Sequence, residues 1–176
     1  MVAFLGFALT SNNLNAQESF ASGGIEVAIP IGDFGEVYPL GIGVSGQYEF
    51  GISKHFGVTG SIGYTFLTVD SELSDLVKTA YMVPLQVGVK YYLDESRKGL
   101  FLAAQVGLHN VSVTLKDLEI LGLTIEGETD SETDLSFAPE VGYYINENIS
   151  LALRFNIISA EEELKNYLGF RAAYNF

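Results

Sequence analysis

From Ala21 to the C-terminus, apolar and small or polar residues alternate with a period of two in segments of about ten residues. The clearest is 56–66, which sets Phe56, Val58, Ile62, Tyr64 and Phe66 against Gly57, Thr59, Ser61, Gly63 and Thr65. The same alternation runs through 21–30, 40–50, 81–92, 100–110, 135–145, 149–158 and 167–176. These are eight predicted strands. Short turns, "GISKH", "DESRKG" and "NEN", alternate with long connections at 31–39, 67–80, 111–134 and 159–166. That alternation is expected of an up-and-down meander with short turns at the periplasmic end and long loops outside.

Alternation does not by itself say which face is inside, since a soluble lipocalin-like barrel has the same period with its apolar face inward. The placement of charge decides. Of the chain's 31 Asp, Glu, Lys and Arg, the eight segments hold only Glu26, Glu49, Lys90, Glu140, Arg154 and Arg171. All six share parity with the Gly/Ser/Thr/Gln face, as expected if the other face meets lipid, where a midplane Arg costs about 2–4 kcal/mol. The apolar-face aromatics gather at segment ends. Tyr48, Phe50, Phe56, Tyr91, Tyr143, Tyr174 and Phe176 lie beside short turns, and Tyr64, Phe66, Tyr81 and Phe137 beside long loops. Two such girdles mark the two interfaces of a membrane.

The expected fold is therefore all-β: an eight-stranded antiparallel up-and-down transmembrane β-barrel over 18–176. Pro84 and Pro139 fall inside predicted strands, where a closed barrel has no edge to absorb a missing N–H. A bulge or a late strand start is expected at each.

The 176 residues suit one domain. The opening "MVAFLGFALTSNNLNAQ" reads as a signal peptide over 1–17, cut near Ala16 or Gln17. It has no basic residue ahead of the apolar run, consistent with a start truncated within the signal. No other apolar run approaches the roughly 20 residues of a membrane helix. The absence of cysteine excludes disulfides, thiol nucleophiles and Cys-based zinc sites. A net charge of −13 argues against nucleic acid, whose backbone is bound by Lys and Arg releasing counterions.

On "LNAQ", on aromatic-rich segments such as "GVTGSIGYTF" and "LQVGVKYYL", and on the terminal "GFRAAYNF", the chain resembles the small outer-membrane β-barrel domain proteins of Bacteroidetes, close in architecture to OmpA/OmpX-type barrels. The resemblance covers 21–176. It implies the bacterial outer membrane, and a final strand read by the outer-membrane assembly machinery through Phe176, Tyr174, Ala172, Phe170 and Leu168.

Little else points to chemistry. Gly41, Gly43 and Gly46 spell G-x-G-x-x-G within a strand, without the helix N-terminus a pyrophosphate needs, and are expected to be small lumen residues. His109 with Ser112 and a loop carboxylate is the one imaginable rim site for lipid chemistry, but spacing assigns no nucleophile and orienter, and His55 lies in a short turn. Inward Glu26, Glu49 and Glu140 balance Lys90, Arg154 and Arg171, so a paired plug is expected in an interior that side chains can fill, with a gated ion path as the alternative. Loop 111–134 carries Asp117, Glu119, Glu126, Glu128, Asp130, Glu132 and Asp134 against Lys116; "EILGLTIEGET" within it alternates like a hairpin. Those carboxylates lack a calcium-loop pattern and read as solvated, or as facing divalent cations or a basic partner.

The reading is thus a non-enzymatic, monomeric integral outer-membrane protein without cofactor or catalytic site. Its acidic loops would serve surface interaction or envelope integrity amid outer-membrane lipid and lipopolysaccharide. The alternatives are transport of small hydrophobic molecules, for which Tyr92, Phe101 and Tyr144 supply part of an apolar lumen, or a lipid-modifying enzyme at the outer rim; a soluble lipocalin-like barrel is the alternative location.

Overall fold

The computed structural model describes residues 19–176 apart from 72, 98, 121–122, 126 and 161–163, so the expected signal peptide lies outside the described residues. Eight strands close a barrel: β1 (Ser19–Ile31), β2 (Gly41–Gly51), β3 (Phe56–Leu67), β4 (Val77–Tyr92), β5 (Gly99–Leu115), β8 (Thr129–Tyr144), β9 (Ile149–Ser159) and β10 (Leu164–Asn175). Each pairs antiparallel with the next barrel strand along the chain, and β10 closes on β1 from Ser22↔Asn175 to Ile31↔Asn166. The fold is the all-β, eight-stranded antiparallel barrel that the alternation predicts.

The stagger of the strands sets the tilt. Following paired residues once around from Ala21, through Tyr48, Gly60, Val87, Val106, Phe137, Ile157 and Asn166, leads back to β1 at Ile31, ten residues further on. A closed sheet of this size needs strands tilted by about 40° and encloses a space that side chains fill.

Both prolines differ from expectation. No bulge or late start occurs at either. On β4 the ladder to β3 lacks pairs between Ile62↔Leu85 and Thr65↔Met82, yet the register is the same on both sides, and Pro84 still pairs with His109 on β5. Pro139 behaves alike: it pairs with Ala104 on β5, while the ladder to β9 lacks pairs between Phe137↔Ile157 and Glu140↔Arg154 without slipping. Each ring removes bonds on one side only, and the neighbouring rungs hold the register. Gly63, opposite Pro84, makes room: a Cβ there would lie 3.0 Å from the proline Cγ. The one shift of register in β4–β5 falls between Val77 and Thr79, towards the outer end.

Outward residues form an apolar belt, with Ile25 at 64% exposure, Ile42 at 59% and Val106 at 54%. Soluble monomers rarely expose a continuous apolar surface, and such surfaces mark contact with a membrane or a partner. On β5 the belt runs from Leu100 to Leu108, close to the 9–11 residues of a tilted transmembrane strand. Beyond Leu108 and Leu135 the same face turns polar. Asn110 pairs with Thr133, Ser112 with Ser131 and Thr114 with Thr129, and their side chains are hydrogen-bonded to one another at 2.8–3.0 Å.

The long connections are also more structured than loops. The segment predicted as loop 111–134 is built of the outer ends of β5 and β8 and a small hairpin, β6 (Leu118–Ile120) with β7 (Leu123–Ile125), as its alternation suggests. Between β1 and β2, Gly32 at φ 69° turns the chain into a one-turn helix, α1 (Asp33–Val37). Its Phe34 is buried over the barrel end.

Candidate functional site

Inward residues fill the lumen in three tiers. At the short-turn end, Tyr92, Phe101 and Tyr144 form an aromatic cluster with centroids 5.4–6.1 Å apart. Lys90 lies above it, its Nζ 4.6 Å from the Phe101 centroid. The same ammonium meets Glu49 Oε2 at 2.9 Å and donates to Gln47 Oε1 at 3.2 Å, while the Tyr92 hydroxyl donates to Glu49 at 2.8 Å. All four groups are buried. Glu49 sits on β2 and Lys90 on β4, so the carboxylate must cross β3. It does so at Gly57, where a Cβ would lie 2.4 Å from Glu49 Oε1.

The middle tier holds the other two pairs, each between residues directly opposite on neighbouring strands. Arg154 on β9 donates through Nε to Glu140 Oε2 on β8 at 2.6 Å, and Gln105 donates to the same oxygen at 3.0 Å. Arg171 on β10 faces Glu26 on β1 at 3.5 Å and donates to Ser45 and Ser22 at 2.8 and 3.0 Å. Each buried base thus has its own acid, which matters because an unpaired buried charge is strongly destabilising. Between these groups remains a cavity of about 10 Å³ lined by Glu26, Ser45, Gln86, Arg154, Tyr167 and Arg171. That is room for about one water.

The outer tier is mostly apolar. Ala28, Leu67, Ala80, Met82, Val111 and Ile158 pack under Phe34. Within it His109, wholly buried, holds its Nε2 2.8 Å from the Tyr167 hydroxyl. Ser112 lies on the opposite face of the same strand, bonded to Asn110 and Ser131. The imagined His109/Ser112 pairing is therefore corrected by parity: three residues apart on a strand, they point to opposite sides of the sheet. Gly46 corrects another expectation. Gly41 and Gly43 face the lumen, but Gly46 shares the outward parity of Val44 and Tyr48 and is exposed, with nothing within 4 Å of a Cβ.

Above the barrel, three carboxylates line up on β8. Asp130, Glu132 and Asp134 share the inward parity of Ser136, and Lys165 of β10 pairs with Glu132 and, at 3.3 Å, with Asp134. By sequence, the four long connections carry fifteen Asp and Glu against three lysines, nearly all of the chain's negative excess. Among the described residues, no group of His, Asp and Glu is arranged to hold a metal ion. The polar partners of the ion pairs, Gln47, Gln86, Gln105 and Tyr92, carry no sequence signal except their parity.

At the last strand, Phe170, Tyr174 and Phe176 face outward. The Tyr174 and Phe176 rings meet edge to face at 5.3 Å, and the Phe176 N–H bonds Ala21 O at 2.9 Å across the closing seam.

Solved structures with this fold include Ail, the attachment invasion locus protein of Yersinia pestis, at a TM-score of 0.65 and 18% identity over 91% of this chain and 99% of that one. Ail has also been solved with the heparin analogue sucrose octasulfate. The N-terminal β-barrel domain of Pseudomonas aeruginosa OprF aligns at 0.59 and 15% identity, covering 90% of this chain and 100% of that one. OprG from Pseudomonas aeruginosa aligns at 0.52 and 12%, covering 92% and 96%. At these identities the likeness is one of fold. A comparison with curated proteins finds no match. The family described as "Outer membrane protein beta-barrel domain" matches residues 2–176. The chain, a closed eight-stranded barrel with an outward apolar belt, belongs to that family, as a β-barrel protein of the bacterial outer membrane.

Proposed function

We propose that this protein is a non-enzymatic display barrel: its lumen is a structural plug, and its working surface is the acidic outer rim, serving surface interaction or envelope integrity. The observation that carries this reading is the filling of the lumen. Three ion pairs are packed between an aromatic tier and an apolar tier, and the cavity beside Glu26, Arg154 and Arg171 holds about 10 Å³, too small there for a solute or a hydrated ion. Binding chemistry is then left to the outside, where the charge is one-sided. Ail has been solved with a polysulfated ligand, whereas a rim of carboxylates favours partners of the opposite sign. Outer-membrane lipid and lipopolysaccharide surround the belt in this reading, the final strand meets the assembly machinery, and the barrel works as a monomer.

Two measurements test it. In planar bilayers the purified barrel is expected to show no stable conductance; discrete channel steps would refute the plug. Cells displaying the protein are expected to adhere to polylysine-coated surfaces more than cells displaying a variant with Asp117, Glu128, Asp130 and Glu132 amidated. Equal adhesion would refute the rim as the working surface.

A further inference from the structure

We propose that the open edge of β8 above the barrel, residues 129–133, docks an extended lysine- or arginine-bearing peptide segment of another protein by strand addition. The proposal rests on the acidic-rim reading and names its partner and mode.

The edge arises from unequal strand lengths. On one side β8 pairs with β5 through to Thr114↔Thr129. On the other, pairing with β9 starts only at Leu135↔Ser159, and Ser159 already pairs with Leu164 of β10, so the chain has turned back at that height. Among the described residues no strand covers β8 from Thr129 to Asp134 on this side, and Thr129 to Thr133 are all exposed. Such an edge offers unpaired N–H and C=O groups to any extended chain. One of its N–H groups is visibly improvised for: Ser131 N–H donates to the carboxylate of its own neighbour Asp130 at 2.9 Å. An N–H already bonded into a ladder has no need of that contact.

The strand is held ready. Thr129, Ser131 and Thr133 are tied to Thr114, Ser112 and Asn110 by side-chain hydrogen bonds, so the edge presents a fixed backbone. The alternate residues Asp130, Glu132 and Asp134 form a carboxylate row at the spacing of every second residue of an added strand. The row already takes an ammonium: Lys165 sits on Glu132 and Asp134. Asp130 has no ion pair among the described residues, and an incoming strand that bonds the Ser131 N–H frees its carboxylate for a cation. A second copy of this chain is the wrong occupant, because edge-to-edge pairing would set carboxylates against carboxylates.

The test uses the full chain in lipid nanodiscs and three ten-residue probes: alternating Lys-Thr, the same peptide N-methylated at alternate amides, and alternating Glu-Thr. Calorimetry is expected to show saturable binding of the first, about tenfold or more weakening on N-methylation, no binding of the third, and loss of binding with Asp130→Asn/Glu132→Gln. Amide exchange at Ser131 and Thr133 is expected to slow with the first peptide only. Equal binding of the methylated peptide, or no effect of the double substitution, overturns strand addition. If adhesion to polylysine still depends on the rim carboxylates, that failure leaves the acidic-rim reading standing. Dimerisation of the chain without peptide would show the edge to be taken by a second copy and overturn the proposal.

Discussion

Glu49 on β2 meets Lys90 on β4 at 2.9 Å by passing over the bare backbone of Gly57 on the strand between them. The pair, with the Tyr92 hydroxyl, holds the floor of the lumen together across three strands. Lys90→Met is expected to destabilise the barrel by about 3–5 kcal/mol, since it leaves Glu49 charged, buried and unpaired. Adding Glu49→Gln should recover much of that loss, because both charges are then gone. Urea unfolding in detergent, followed by the gel-mobility shift of the folded barrel, measures both; additive losses would show that the two side chains act independently.

Gly57→Val attacks the same pair without touching either partner. Its Cβ falls where the Glu49 carboxylate now lies, so the carboxylate must swing aside or the strand must move. The expected loss is about 1–3 kcal/mol from overpacking, together with part of the ion-pair loss. Unfolding midpoints of Gly57→Val alone and in the Glu49→Ala background separate the two, since removing the side chain relieves the clash.

On β5 the outward face changes from apolar at Leu108 to polar at Asn110, the line at which we place the membrane boundary. Val106→Arg, on the lipid side of that line, is expected to cost about 2–4 kcal/mol. Thr114→Arg, on the same face of the same strand but beyond it, is expected to change stability little. Refolding into lipid vesicles compares them directly, and equal losses would place Thr114 in the bilayer.

Phe176 contributes one ring contact and one seam hydrogen bond to the finished barrel. If the final strand serves as an assembly signal, Phe176→Ser should slow insertion in cells while leaving the refolded barrel nearly as stable. Pulse-labelling of cells against unfolding of purified protein tests this; equal effects in both would make the residue purely structural.

Leu153→Arg against Ala152→Arg, a natural comparison from alternation alone, is less clean in the folded barrel. Ala152 does face inward, but it packs against the Tyr92, Phe101 and Tyr144 cluster, so an arginine there meets a filled space. Alternation tells inside from outside; it does not tell a roomy inside position from a full one. Pro84 and Pro139 carry a similar lesson. A closed barrel is expected to bulge or to start its strand late at each ring, but losing two rungs of one ladder is milder than shifting the register of every rung beyond them.

The sequence by itself determined the number of barrel strands, their antiparallel order, the side of each that meets lipid and the inward direction of the six charges within the predicted segments. Each of these follows from a period of two and from the cost of charge in hydrocarbon, both written locally along the chain. Only the tertiary structure decided which acid meets which base, that His109 and Ser112 are parted by the sheet, and that β8 outruns β9 to leave an edge. Those outcomes depend on the stagger of strands around a closed circle, set jointly by all eight pairings.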